Sequence, residues 1–122
     1  MATIEKPIKK RIKKVNFNCP LSMSLEVIGG KWKPLIIYYL DKSPKRFGQL
    51  DILIEGISRK VLTTQLTELV EDVLVVRTSY PETPPRVEYS LTEKGEELIP
   101  ILGQIASWGS YLVDKKGGKQ SL

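Results

Sequence analysis

The chain has no histidine, and its 122 residues include a single cysteine, Cys19. The common zinc sites need imidazoles or several thiolates, so none can be assembled within one chain, and an internal disulfide framework is excluded with them. The absence of histidine also removes the usual general base, and no Ser or Cys stands in a nucleophile motif. Glu96 and Glu97 suit a helix start better than a catalytic dyad. Neither an enzyme nor a bound metal or cofactor is expected. Long apolar runs are missing too: nothing approaches the roughly 18 to 20 residues that cross a bilayer, and the N-terminal stretch holds no apolar segment of the kind a secretion signal needs. A cytoplasmic location is the expectation. Gly29-Gly30-Lys31 lacks the glycine spacing and preceding strand of a phosphate loop and reads as a helix break.

What is present begins with charge. The formal net charge is +5, but residues 1–14 (MATIEKPIKKRIKK) carry six Lys/Arg against one Glu, leaving 13 basic and 13 acidic residues in 15–122. The basic excess therefore belongs to an arm, either solvated and flexible or touching phosphates or a partner, and the remainder is formally neutral. With 41% hydrophobic residues, residues 15–116 suit one domain with one core. Residues 117–122, beginning Gly117-Gly118, read as a disordered tail.

Leu21 to Ile28 follows Cys19-Pro20 as a short helical pattern, ended by Gly29-Gly30. Trp32, Leu35, Ile36, Tyr39 and Leu40 then recur at helical spacing, with Pro34 early enough for a first turn. Phe47, Leu50 and Ile54 predict a two-turn helix despite Gly48. After Glu55-Gly56-Ile57, Ser58 can cap a helix running to about Asp72, with Leu62, Leu66, Leu69 and Val73 as its buried face. Two helices joined by a short glycine-containing turn make a helix-turn-helix. The period then changes to two: residues 74–80 and 86–91 read as strands, with Val87, Tyr89 and Leu91 alternating against Arg86, Glu88 and Ser90. Three prolines within 81–85 make the loop between them stiff. Thr92 can cap a last helix whose first turn holds Glu93, Glu96 and Glu97. Pro100 inside it predicts a kink, or a regular helix that starts nearer the proline.

This order predicts a mainly α fold with a small β-hairpin wing, a winged helix-turn-helix. With its leucines inward, the 58–72 helix offers Ser58, Arg59, Lys60, Thr63, Thr64 and Thr67 outward. All can hydrogen-bond, and the first turns of such a helix reach base edges in a major groove. Lys45 and Arg46 before the helix-turn-helix, and Arg77 and Arg86 in the wing, are further candidates for phosphate or minor-groove contact, the alternative being surface ion pairs. A winged helix serving as a protein-interaction module without DNA reading is the alternative function. Leu98, Ile101, Leu102, Ile105, Trp108 and Leu112 form an apolar stripe larger than one small domain needs, which suggests a dimer interface rather than monomer core.

Residues 19–109 resemble the HxlR-type branch of MarR-like winged helix-turn-helix regulators. The matching stretches are Cys19-Pro20, Ile28-Gly29-Gly30-Lys31-Trp32, Lys45-Arg46-Phe47, residues 57–63 (ISRKVLT), Leu66, Leu69, and residues 84–92 (PPRVEYSLT), followed by Gly95, Leu98, Pro100 and Trp108. The resemblance implies a homodimer built from N- and C-terminal helices, with a recognition helix and a wing on each subunit addressing a near-palindromic operator, and repression more often than activation. It also implies a candidate redox or electrophile sensor at Cys19, which the cations of 9–14 could assist; burial as a small hydrophobe is the alternative. An oxidant or small electrophile would then be the effector. One departure stands out. Related chains often have Asp-Gly where this one has Asp72-Val73, and a β-branched residue resists the left-handed conformation glycine supplies there.

Overall fold

The computed structural model describes residues 2–5 and 18–120. Its elements follow in the order β1 (Thr3–Glu5), α1 (Pro20–Ile28), α2 (Trp32–Tyr39), α3 (Phe47–Leu53), α4 (Arg59–Glu71), β2 (Val75–Tyr80), β3 (Arg86–Leu91) and α5 (Glu93–Gln120). Among the described residues, five helices and an antiparallel sheet ordered β1-β2-β3 make the mainly helical winged fold that the sequence pattern predicts.

The core lies where α2, α3 and α4 converge on the base of the sheet. Ile36, Ile37 and Leu40 meet Leu50, Ile54, Leu62, Leu66, Leu69 and Val75, with Leu102 closing it from α5. Each such side chain contributes about 1.5–3 kcal/mol relative to exposure. The buried stripe of α2 is rotated from the expected one: Lys33, Ile36, Ile37 and Leu40 point inward, and Leu35 lies on the outer side. A lysine joins an apolar stripe because its stem packs like a hydrocarbon and its ammonium reaches Glu68 of α4.

At the end of α4, Val73 is not on the buried face. It is 54% exposed, and it takes the left-handed conformation at φ 60°. Val73 N donates to Val70 O at 3.0 Å and Leu74 N to Leu69 O at 3.0 Å, the paired bonds that end a helix through a left-handed residue. That conformation costs an L-residue about 1–2 kcal/mol, and glycine would avoid the cost at an added unfolded-state entropy of about 0.5–1 kcal/mol. Val73→Gly should therefore raise the melting temperature by roughly 2–5 °C in calorimetry. A fall would mean that the contacts of the Val73 side chain outweigh the strain.

β2 and β3 pair from Val75↔Leu91 to Tyr80↔Arg86. Residues 3–5, which the sequence reading assigned to the arm, add a third strand, with Thr3↔Ser79 and Glu5↔Arg77; residues 6–17 lie outside the described residues. α5 starts where predicted: Gly95 N donates to Thr92 Oγ1 at 3.1 Å, and Thr92 Oγ1 in turn donates to Val73 O at 2.8 Å. The helix then runs on through Pro100, having begun at Glu93 rather than nearer the proline, and past Gly117-Gly118 to Gln120. The Glu96 carbonyl that Pro100 cannot serve lies on the exposed side, where water can take the missing donor's place. No helix among the described residues is long and apolar enough to cross a membrane.

Candidate nucleic-acid interface

The surface begins at the turn between α3 and α4. Gly56 adopts φ 89° there, a conformation that suits glycine and lets the chain reverse in a few residues. Ser58 Oγ then accepts from Val61 N at 3.1 Å, so the serine caps α4. Ser58, Arg59, Lys60, Thr63, Thr64 and Thr67 are all exposed, and Lys60, Thr63, Thr64 and Thr67 recur at the i, i+3, i+4, i+7 spacing of one helical face.

The three threonine hydroxyls bond back along the helix: Thr63 Oγ1 donates to Arg59 O at 2.9 Å, Thr64 Oγ1 to Lys60 O at 3.1 Å, and Thr67 Oγ1 to Thr63 O at 2.9 Å. Their single donors are thus committed to the backbone. What the face still offers is methyl groups, which suit thymine, and oxygen lone pairs, which can accept from the amino groups of adenine or cytosine. Arg59 is 71% exposed at the N-terminal end. Its Nη1 donates to Asp51 Oδ2 at 3.0 Å, and its guanidinium lies 4.8 Å from the centre of the Phe47 ring. A surface pair of this kind contributes about 0–1 kcal/mol, so exchanging Asp51 for a guanine edge costs little.

The loop before α3 ties this surface to the wing. Lys45 N donates to Tyr89 O at 2.9 Å and Tyr89 N to Lys45 O at 2.8 Å, while Lys45 Nζ donates to Ser43 Oγ at 3.0 Å. Arg46 is exposed next to Phe47, the residue that carries the Arg59 stack. The two wing arginines are engaged by carboxylates. Arg86 donates from Nη2 to Glu82 Oε2 at 2.7 Å and from Nη1 to Glu88 Oε2 at 2.6 Å, and it stacks 3.7 Å over the Tyr80 ring. The hydrogen bonds that Arg86 donates to Glu82 and Glu88 hold its pKa above the ordinary value, and the one to Glu82 holds the pKa of that carboxyl below its own. Arg77 donates to the Tyr89 hydroxyl at 3.3 Å and pairs with Glu5, and these partners raise its pKa in that order. Through the Phe47 ring, Arg59 of α4 therefore lies beside the 45–47 segment, whereas Arg77 and Arg86 are already held by carboxylates.

The apolar stripe of α5 divides. Leu102 belongs to this chain's own core and Leu98 packs against it, because the first half of the helix lies over α2 and the sheet. Ile101, Ile105, Trp108 and Leu112 remain exposed, Trp108 by 68%, and they are joined by Tyr111 and Val113, which the sequence reading passed over. Tyr111 and Trp108 meet edge to face at 5.6 Å. Leu21 and Leu25 of α1 are exposed as well, and α1 and the start of α5 line a cleft of about 450 Å³ between Met23, Val27, Val73 and Ile101. Cys19 is half-buried at the N-terminal cap of α1, where its Sγ accepts from Ser22 N at 3.4 Å. Lys9, Lys10, Arg11, Lys13 and Lys14, the cations expected near it, lie outside the described residues.

Comparison with known proteins bears on this geometry. A family model described as HxlR-like helix-turn-helix matches residues 27–117. The HTH-type transcriptional regulator YkvN of Bacillus subtilis (strain 168) is 45% identical over 100 residues, covering 82% of this chain and 85% of its own. The redox regulator HypR in its oxidized form superposes with a TM-score of 0.73 at 44% identity, covering 76% of this chain and 96% of its own. Diamide-treated YodB from B. subtilis does so with 0.65 at 38% identity, covering 76% and 93%.

Proposed function

Because the chain belongs to the HxlR-like helix-turn-helix family, we propose that this DNA-binding regulator of transcription acts as a homodimer that occupies a near-palindromic operator and represses. The observation that carries the reading is the outward face of α4. Lys60, Thr63, Thr64 and Thr67, each able to hydrogen-bond, form an exposed face opposite the leucines that anchor the helix, with Ser58 and Arg59 exposed at its N-terminal end. A protein-interaction surface of that size would draw on large apolar anchors, and this face has none. Exposed apolar side chains occur elsewhere as well, Ile52 of α3 among them, but the longest series of them runs along α5 from Ile101 to Val113 with Leu21 and Leu25 of α1 exposed too, which suits two copies meeting there and carrying one reading helix each to successive turns of the duplex.

Selection of bound sequences from a random duplex pool tests the reading. The expected result is a near-palindrome, and an affinity that falls steeply with salt as phosphates are engaged. No enrichment together with flat salt dependence would replace it with the interaction-module reading. On the selected duplex, Arg59→Ala should weaken binding by about 1–3 kcal/mol and relax one position in each half-site. Equal losses on selected and random DNA would remove Arg59 from base reading.

Cys19 is the proposed sensor. Its sulfur sits at a helix N-terminus, where negative charge is favoured, and of the similar proteins HypR is a redox regulator solved in its oxidized form and YodB was solved after diamide treatment. Diamide would take two electrons and two protons from two thiols. The chain has no second cysteine, so Cys19 joins either the Cys19 of the other subunit or a small thiol. Operator release by diamide should occur in the wild type and be lost in Cys19→Ser; release that persists in the variant removes the sensor.

A further inference from the structure

Among the described residues the buried charged side chain is Lys33, 5% exposed within the apolar stripe of α2. Its Nζ lies 2.5 Å from Glu68 Oε1. Glu68 follows Thr67 directly and stands one helical turn after Thr64, so the pair joins the core helix to the flank of the reading helix. On the opposite flank, Arg59 reaches Asp51 of α3 through an exposed contact. We propose that the Lys33–Glu68 pair sets the rotation of α4 about its own axis, which makes Lys33 a positioning residue for base reading although it touches no groove. This rests on the reading of α4 as the DNA-reading helix.

The physical argument concerns direction. Leu62, Leu66 and Leu69 hold α4 to the domain, but apolar contact is nondirectional and cores accommodate small shifts. An ion pair with one buried partner has a narrow optimum in distance and angle, and Lys33 has little room to follow a rolling helix. Side-chain tips lie about 5–6 Å from a helix axis, so a roll of about 20° displaces the threonine methyls and oxygens by about 2 Å. Hydrogen bonds to base edges tolerate a few tenths of an ångström. The pair therefore acts where the leucines leave freedom, and it acts on the threonine positions.

The test uses the full chain and the duplex selected by the wild type. A K33M/E68L double variant replaces the pair by apolar side chains of similar reach, an exchange that is often neutral or stabilising for buried pairs. Affinity is measured for the selected duplex, for single-base variants of it, and for random duplex, at a temperature where calorimetry shows the protein folded. The expected result is binding to the selected duplex weakened by about 10-fold, a narrowed spread among the single-base variants, and unchanged random-duplex affinity and salt slope. A double variant that ranks the sites as the wild type does, at any stability, overturns the inference and leaves the pair a stability element. Should the double variant fail to fold, K33M/E68Q, which removes the pair and leaves a polar side chain at the partly exposed α4 position, is judged by the same two outcomes. A wild type that selects no sequence overturns the DNA-reading assignment itself, and this inference with it.

Discussion

Glutamate in place of Trp108 or Ile105 should convert a species of twice the chain mass into one of 13.8 kDa in sedimentation equilibrium, and abolish tight operator binding. Both side chains are more than half exposed in the single chain, so a carboxylate there meets water in the monomer and its fold should persist. In the dimer the same carboxylate would be buried against the apolar residues of a second α5 without a partner, which costs several kcal/mol on each side of a two-fold interface. Losing the dimer also loses the linkage between two half-site contacts. Linked modules bind tighter than either alone by about 10²–10⁴, so affinity for the full operator should fall by about 100-fold or more, toward that of a half-site. A variant that remains dimeric, or a wild type that sediments as a monomer, would move the interface away from this stripe. Leu102 would be the wrong residue to choose, because it is core and its replacement would unfold the monomer.

That distinction marks where the sequence was readable and where it was not. Element order, the Ser58 and Thr92 caps and the inward leucines of α4 follow from spacing and short-range chemistry, so they are legible residue by residue. Which face of α2 is buried depended on a tertiary partner. Lys33 stands at helical spacing from Ile36, Ile37 and Leu40, and a lysine within an apolar stripe is a visible signal, but its sense appears only with Glu68 35 positions on. The wing arginines illustrate the same limit. Arg77 and Arg86 read as cations for DNA or for surface ion pairs, and the partner of Arg77 was not legible, because Glu5 reaches it across a strand pairing that no local pattern announces. The threonine face was legible as hydrogen-bonding, but the backbone takes the donors, so acceptors and methyls remain.

A methyl added at Gly95 should be the most damaging single addition near this surface. An ideal Cβ there would lie 2.3 Å from Leu74 O and 3.2 Å from Leu91 Cδ2, so α5 can begin against the α4–β2 junction only while position 95 has no side chain. The same Leu74 carbonyl accepts from Thr92 N at 3.0 Å, so retreat from the methyl strains the bond that anchors the helix start. Overpacking of this kind costs about 1–3 kcal/mol or more, and alanine's better helix propensity returns about 0.5–1 kcal/mol. Gly95→Ala should therefore lower stability by about 2 kcal/mol and the melting temperature by roughly 8–15 °C. Its functional effect should exceed its thermal one. α5 carries the proposed dimer face and starts against the α4–β2 junction at Val73 and Leu74, so this contact bears on the angle between the dimer axis and each reading helix. At a temperature where the variant is folded, random-duplex affinity should survive while the selected operator loses its advantage, because two half-sites at fixed spacing no longer match two displaced helices. An unchanged melting temperature would show that the junction yields to the methyl, and an unchanged operator preference would show that α5 does not set the spacing.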